Sequence, residues 1–328
     1  MNFRHYKTCL ARAGAMVAFA FAAAAAFGQD AAKQAKPVVY AGIGPAAWVA
    51  RELACDRVEV RTLLPDGCDP HTFEPAARDI AKLAESQAYF SLDLPFEQRV
   101  KKILVTQKTG TGPVFSGSVP ICELRETGSV PVCEDEESGP VPISSDGKKT
   151  GPVPAHDHDP HAWVTPEGMA EMAEAARAAL DGIDPEGAEK RRAVFSSLKE
   201  RLEAMDAEFA ALFAPHAGKI LVVHHPSWGH FAERYGLRMA AIEEEGREPS
   251  TRQLVRLVEQ ARACGATTVF AEPQFSRRAS EAVAKQLGGK VVVVDPLSAD
   301  WEANIRAVAA AFAEALADET PLAEEAAK

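Results

Sequence analysis

KILVVHHPSWGHFAERYGL, from Lys219 to Leu237, is the stretch that decides the fold. Ile220 to Val223 is a short run of β-favouring apolar residues, the mark of a strand buried on both faces. His225 and Pro226 end it, and Trp228 to Tyr235 reads as a short helix. The same alternation runs outward on the C-terminal side. Ser250 with Gln253 is spaced as a capping box opening a helix to about Ala263. Thr267 to Ala271 is a strand, Ser276 to Leu287 a helix, Val291 to Val294 a final buried strand, and Ala299 to Leu316 the closing helix. Strands alternating with helices argue for parallel α/β layering.

The N-terminal part carries the pattern again. Val38 to Ala41 is a strand, and Gly44-Pro45 opens a helix with proline at its first position. A strand from Val58 to Leu64 ends at the turn Pro65-Asp66-Gly67, a helix follows from Glu74 to Glu85, and Ala88-Tyr89-Phe90 is strand-like. Between the two parts lie helices. Thr165 is placed as an N-cap with Pro166 behind it, and Met169, Met172, Ala173, Ala176 and Leu180 share one face. Asp184-Pro185 repeats that start signal, and Val194, Leu198, Leu202, Met205, Phe209 and Leu212 recur at steps of four and three. A helix over Pro185 to Phe213 would be roughly 43 Å long at 1.5 Å per residue. It serves either as a spine across two lobes or as a packed helix within one, and spacing leaves both open. The expected fold class is therefore α/β, two lobes with parallel sheets joined by a long helix.

The chain has 328 residues, 47% hydrophobic and 25% charged, which excludes a wholly disordered or many-pass membrane protein. Its 36 basic against 47 acidic residues leave a net charge of −11, an acidic balance that counts against a nucleic-acid binder, which normally shows a basic face. Six cysteines are too few for a disulfide-dense scaffold. Residues 1–28 have the layout of a secretory signal peptide: Arg4, Lys7 and Arg12, then the apolar run Ala13 to Phe27, then Ala26-Phe27-Gly28 as a cleavage site. Cys9 precedes the run, where a lipoprotein cysteine would follow it, so a free periplasmic protein is expected. Between residues 110 and 155, Gly, Pro and Ser fill 20 of 46 positions. Tandem units there begin at Gly117, Gly128, Gly139 and Gly151, too short and Pro-rich to bury a core, so 110–158 reads as an expanded, solvated loop. The resulting organisation is a leader, 1–28; a first lobe, 37–165, containing that loop; a helical segment, 166–214, with the linking helix 185–213; a second lobe, 215–318; and a tail, 319–328.

Eight histidines lie beyond the leader, and three sit where a ligand site is expected. His71 follows the turn after the second strand, His161 ends Asp159-Pro160-His161 just before a helix, and His225 and Asp295 follow strands at their carboxyl ends. Open α/β sheets bind ligands outside those ends. Three imidazoles and a carboxylate suit a divalent transition metal. Each alone is equally well a solvated loop histidine or a capping aspartate.

The segments DPHTFEP (Asp69 to Pro75), HDPHAW (His158 to Trp163), HPSWGHFAERYGL (His225 to Leu237), EPQFS (Glu272 to Ser276) and VDPL (Val294 to Leu297) occur in this order. Together they resemble the zinc-type, ZnuA/TroA-like group of periplasmic solute-binding proteins of metal-importing ABC transporters. The resemblance covers about Pro37 to Leu316, apart from the repeat loop. It implies two α/β lobes bridged by a rigid helix, and one metal between them held by His71, His161, His225 and Asp295. It also implies delivery to an inner-membrane permease that works with a cytoplasmic ATPase, by a protein expected to be a monomer. His230 falls where the family usually has an aromatic residue and is taken as structural; Glu272 supports the interlobe surface and is given no ligand role. Related manganese receptors present a carboxylate where this chain has His225, so Zn²⁺ is preferred over Mn²⁺.

Zinc-specific members also carry a His-rich loop where this chain has His156 and His158, a secondary metal-gathering site or a plain acidic linker. Cys122 and Cys133, eleven residues apart in that loop, would pair in an oxidising compartment, or owe their spacing to segment duplication. Cys55 and Cys68 bracket a strand of roughly 20 Å and should not pair. The rival class is a periplasmic metallohydrolase, because HDHDPH resembles the H-x-H-x-D-H motif of the metallo-β-lactamase-like enzymes. That motif fails at Pro160, which has no ligating side chain. Four protein ligands would also leave no position for an activated water, so a carrier rather than an enzyme is expected.

Overall fold

The computed structural model describes residues 35–106, 159–243 and 249–318. The leader 1–28, the repeat loop with Cys122, Cys133, His156 and His158, and the tail 319–328 lie outside the described residues. In the first lobe, β1 (Val38–Ala41), α1 (Gly44–Ala54), β2 (Glu59–Thr62), α2 (Ala77–Ala84), β3 (Ala88–Phe90) and α3 (Pro95–Thr106) follow one another. The strands form a parallel sheet in the order β2-β1-β3. In the second lobe come β4 (Ile220–Val223), α6 (Gly229–Arg234), β5 (Arg238–Ala241), α7 (Thr251–Ala263), β6 (Thr268–Ala271), α8 (Arg278–Leu287), β7 (Lys290–Val293) and α9 (Trp301–Asp318). Their sheet is also parallel, in the order β5-β4-β6-β7. Between the lobes lie α4 (Pro166–Ile183) and α5 (Ala188–Phe213). The α/β class with two parallel-sheet lobes is thus observed. In each sheet the chain winds to both sides of one strand, β1 or β4. The crevice at the carboxyl end of such a strand is where α/β sheets place ligands.

The helix starts follow the side-chain chemistry anticipated for them. Thr165 accepts the Gly168 N–H at 3.0 Å ahead of Pro166. Ser250 and Gln253 form a reciprocal capping box. Four local readings are corrected. Phe213, not Leu212, completes the buried seam of α5: steps of four from Met205 and Phe209 reach Phe213, which is fully buried, while Leu212 is 39% exposed. The first turn of the expected linking helix is a separate 3₁₀ turn, Pro185–Gly187. β7 is not fully buried, because it forms a sheet edge and exposes both its end residues. β5, the opposite edge, and α3 went unread; Arg-Met-Ala-Ala in β5 lacks the β-branched residues that mark strands.

The long helix is fastened to both lobes by different chemistry. Near its start Arg191 is fully buried, donating to the Leu53 carbonyl of α1 and pairing with Asp181 at 2.6 Å and Asp184 at 3.0 Å. Near its end Phe213 packs against Phe231 of α6 and stacks on Tyr235, with centroids 5.3 and 5.6 Å apart. Midway, Arg201 reaches Glu52 of α1 and Glu302 of α9 at once. These contacts favour the spine over the single-lobe packing. The lobes also meet through tryptophans: Trp163 Nε1 donates to the Pro296 carbonyl, and Trp301 Nε1 to the Trp163 carbonyl, both at buried positions. Among the described residues no helix is long and apolar enough to cross a membrane.

Candidate metal centre

His71 lies in the loop after β2, His161 just before the 3₁₀ turn Ala162–Val164, and His225 two residues beyond β4. The fold brings these three imidazoles together, each offering a ring nitrogen within 4.8 Å of the others. His71 Nε2 and His225 Nε2 are 3.2 Å apart. The rings of His161 and His225 meet edge to face with centroids 5.4 Å apart. His161 and His225 are buried, and His71 is partly so. Two lobes thus contribute to one small site, which Trp163, Glu272, Gln274 and Phe275 also line.

The Asp-Pro-His segments explain how the first lobe aims its ligand atoms. Asp69 Oδ1 accepts the His71 backbone N–H at 2.8 Å, and Asp159 Oδ1 accepts that of His161 at 3.0 Å. An aspartate bonding the amide two residues on makes an Asx turn, and the intervening proline pre-sets the backbone for it. Asp159 does more, since its Oδ1 also lies 2.6 Å from His161 Nδ1. A carboxylate on one ring nitrogen fixes the proton there and leaves Nε2 with its lone pair free for a metal. The backbone carbonyl of Asp159 meets His230 Nε2 at 3.0 Å, so His230 ties the turn to α6 across the lobes.

Asp295 is not part of the three-nitrogen group. It heads another turn of the same construction, Asp295-Pro296-Leu297, and its Oδ1 accepts the Leu297 N–H at 3.0 Å and the Gln274 amide at 2.7 Å. Its carboxylate serves its own backbone, as those of Asp69 and Asp159 do. The fold therefore gathers three of the four residues expected as ligands into one group, with Asp295 outside it.

Burial, reinforced by the neighbouring His225, pulls His71 below the ordinary imidazole pKa. Burial does the same to His161, against the pull of Asp159. Both are therefore neutral at pH 7, the form that binds metal. His225 behaves differently: burial lowers it, but Glu243 and Glu272 outweigh that and leave it raised. Burial pushes the Glu272 carboxyl up to about 7. Glu272 accepts the Ser227 hydroxyl through Oε1, while its buried Oε2 has no partner. Sequence reasoning left Asp69, Asp159 and Glu243 unassigned. The first two were legible as Asx-turn formers, whereas Glu243 carries no sequence signal beyond an acidic run. Three imidazoles with flanking carboxylates can hold a divalent transition metal, His225 giving up its proton to the solvent as it binds. Among the described residues Cys55, Cys68 and Cys264 are free thiols, so Cys55 and Cys68 do not pair.

Comparison with known proteins gives the family. A zinc-binding protein, AdcA, of Streptococcus pyogenes is 26% identical over 260 residues, which are 76% of this chain and 48% of the relative. The chain thus spans about half the length of the curated relatives it matches. Among solved structures, a crystal structure of ZnuA superposes with a TM-score of 0.71 at 29% identity, covering 86% of this chain and 99% of the other. A zinc-bound ZnuA mutant lacking its residues 138–173 gives a TM-score of 0.70 at 30% identity, covering 85% and 98%. Residues 39–315 match the family of zinc-uptake complex component A, periplasmic, so this chain belongs to that family of metal-binding transport components.

Proposed function

We propose that this chain captures Zn²⁺ between its lobes and delivers it to the inner-membrane permease of an ABC transporter, powered by a cytoplasmic ATPase. The observation that carries the reading is the convergence of His71, His161 and His225 from two lobes. Imidazole donors suit Zn²⁺ better than Mn²⁺, which prefers carboxylates and water. Asp295 is the candidate fourth donor, with both its hydrogen bonds, from the Leu297 N–H and the Gln274 amide, on Oδ1. The carrier reading is supported by family membership rather than by coordination number. A cleaved leader at 1–28 and a free, monomeric life in the periplasm complete the proposal, with His156 and His158 of the repeat loop as a secondary gathering site.

The test is a competition titration of metal-free protein with Zn²⁺ and Mn²⁺, counting sites. One tight zinc site that manganese does not displace supports the reading. A preference for manganese overturns the choice of metal, and zinc-dependent hydrolysis of a chromogenic ester or lactam overturns the carrier. Deleting Gly117 to Pro154 without change in stoichiometry or uptake removes the role of the loop.

A further inference from the structure

His225 differs from its partner His161 in what stands behind the ring. Asp159 bonds His161 Nδ1 directly, whereas the buried Nδ1 of His225 has no hydrogen-bond partner. The carboxylate nearest to it is Glu243, whose Oε2 lies 3.5 Å away, an ion-pair distance just outside a well-made hydrogen bond. Glu243 stands two residues past β5, and its backbone N–H donates to the His224 carbonyl at 2.8 Å. The pairing of β5 with β4 thus pins it beside the end of β4. It is buried, and the same Oε2 lies 3.9 Å from His224 Nε2. His224 in turn is held by Ser280 Oγ at 3.1 Å, and the Phe275 ring leans on both histidines with centroids 5.3 and 5.2 Å away.

The other nitrogen of His225, Nε2, faces His71 in the site. If Nε2 gives its lone pair to a metal, Nδ1 must carry the ring proton and needs an acceptor, since a buried donor left unmade costs free energy. The geometry points to Glu243 as that acceptor. It is a positioning residue that selects the tautomer of His225 and fixes its ring, and the 3.5 Å gap closes when the ion binds. This rests on the reading of His225 as a zinc ligand. It would give the second lobe, through a neighbouring strand, what Asp159 gives the first through a turn.

The test measures zinc affinity and the ring-nitrogen NMR signals of the histidines in the full chain, for wild type, Glu243→Ala and Glu243→Gln. Loss of such a supporting group typically weakens metal binding 10–100-fold. Glu243→Ala should fall in that range and shift the His225 ring signals in the zinc-loaded protein while leaving those of His161 in place. Glu243→Gln, which keeps an acceptor oxygen without the charge, should recover part of the affinity. An affinity for Glu243→Ala within about twofold of wild type, or unchanged His225 signals, overturns the inference. If Glu243→Ala does not fold, Glu243→Gln decides on the same two readouts: His225 signals and affinity identical to wild type overturn the inference, and a shift with weaker binding supports it. Failure of the wild type to bind zinc would overturn the proposed function instead, which keeps the two results distinct.

Discussion

The first lobe hangs its two histidines on Asp-Pro-His turns, whereas the second sets its histidine at the end of a strand. In the first lobe three consecutive residues do the aiming, through bonds from Asp69 to the His71 amide and from Asp159 to the His161 amide. In the second, the surroundings of His225 come from β5, from Glu272 after β6, and from Phe275, all remote in sequence. One half of the site is therefore built locally and the other by sheet pairing. The local half has its carboxylate already bonded to a ring nitrogen, and the non-local half leaves its ring nitrogen waiting.

The sharpest break in that comparison comes from removing a ligand outright. His161→Ala should lose more affinity for zinc than the ~10–100-fold that supporting groups contribute, read by chelator competition. An effect below tenfold would mean that His161 does not hold the ion. Asp159→Ala comes next, with a 10–100-fold loss, because it removes the acceptor on His161 Nδ1 as well as the turn. Asp69→Ala, which removes contacts to the His71 amide and the Thr72 hydroxyl only, should cost less than tenfold. Equal losses for the two aspartates would erase the distinction between ring and backbone support.

Acidity separates the two lobes in another way. Burial keeps His71 and His161 neutral below the ordinary imidazole range near 6.5. His225, lowered by burial but raised further by Glu243 and Glu272, takes up a proton first as pH falls. Zinc affinity should therefore decline with falling pH, beginning above about 6.5, and an affinity flat from pH 8 to 5 would contradict histidine ligation. The smallest expected effect lies outside the site. Thr165→Ala removes the cap of α4 and should cost about 1 kcal/mol, a fall in Tm of roughly 2–4 °C, with zinc affinity unchanged. A larger loss of affinity would mean that the cap also orients His161, four residues before it.

What was legible in the sequence follows the same division. Strands flanked by turn residues, the Thr165 and Ser250 caps and the seam of the long helix were all written locally. Edge strands were not: β5 lacks apolar β-branched residues, and β7 reads as buried until the sheet order makes it an edge. The three histidines stood out because each follows a strand or opens a helix. Asp295 stood out for the same reason, and its Oδ1 caps the Leu297 amide, a use that the repeated Asp-Pro pattern already hinted at. Glu243 was hidden because only the parallel pairing of β4 with β5 carries it to His225.

The most direct test of a single site shared by two lobes is zinc X-ray absorption on the protein loaded with one equivalent. Three imidazole nitrogens at about 2.0–2.1 Å and one further light donor are expected. A shell dominated by carboxylate or water oxygens, or one containing sulfur near 2.3 Å, would contradict it.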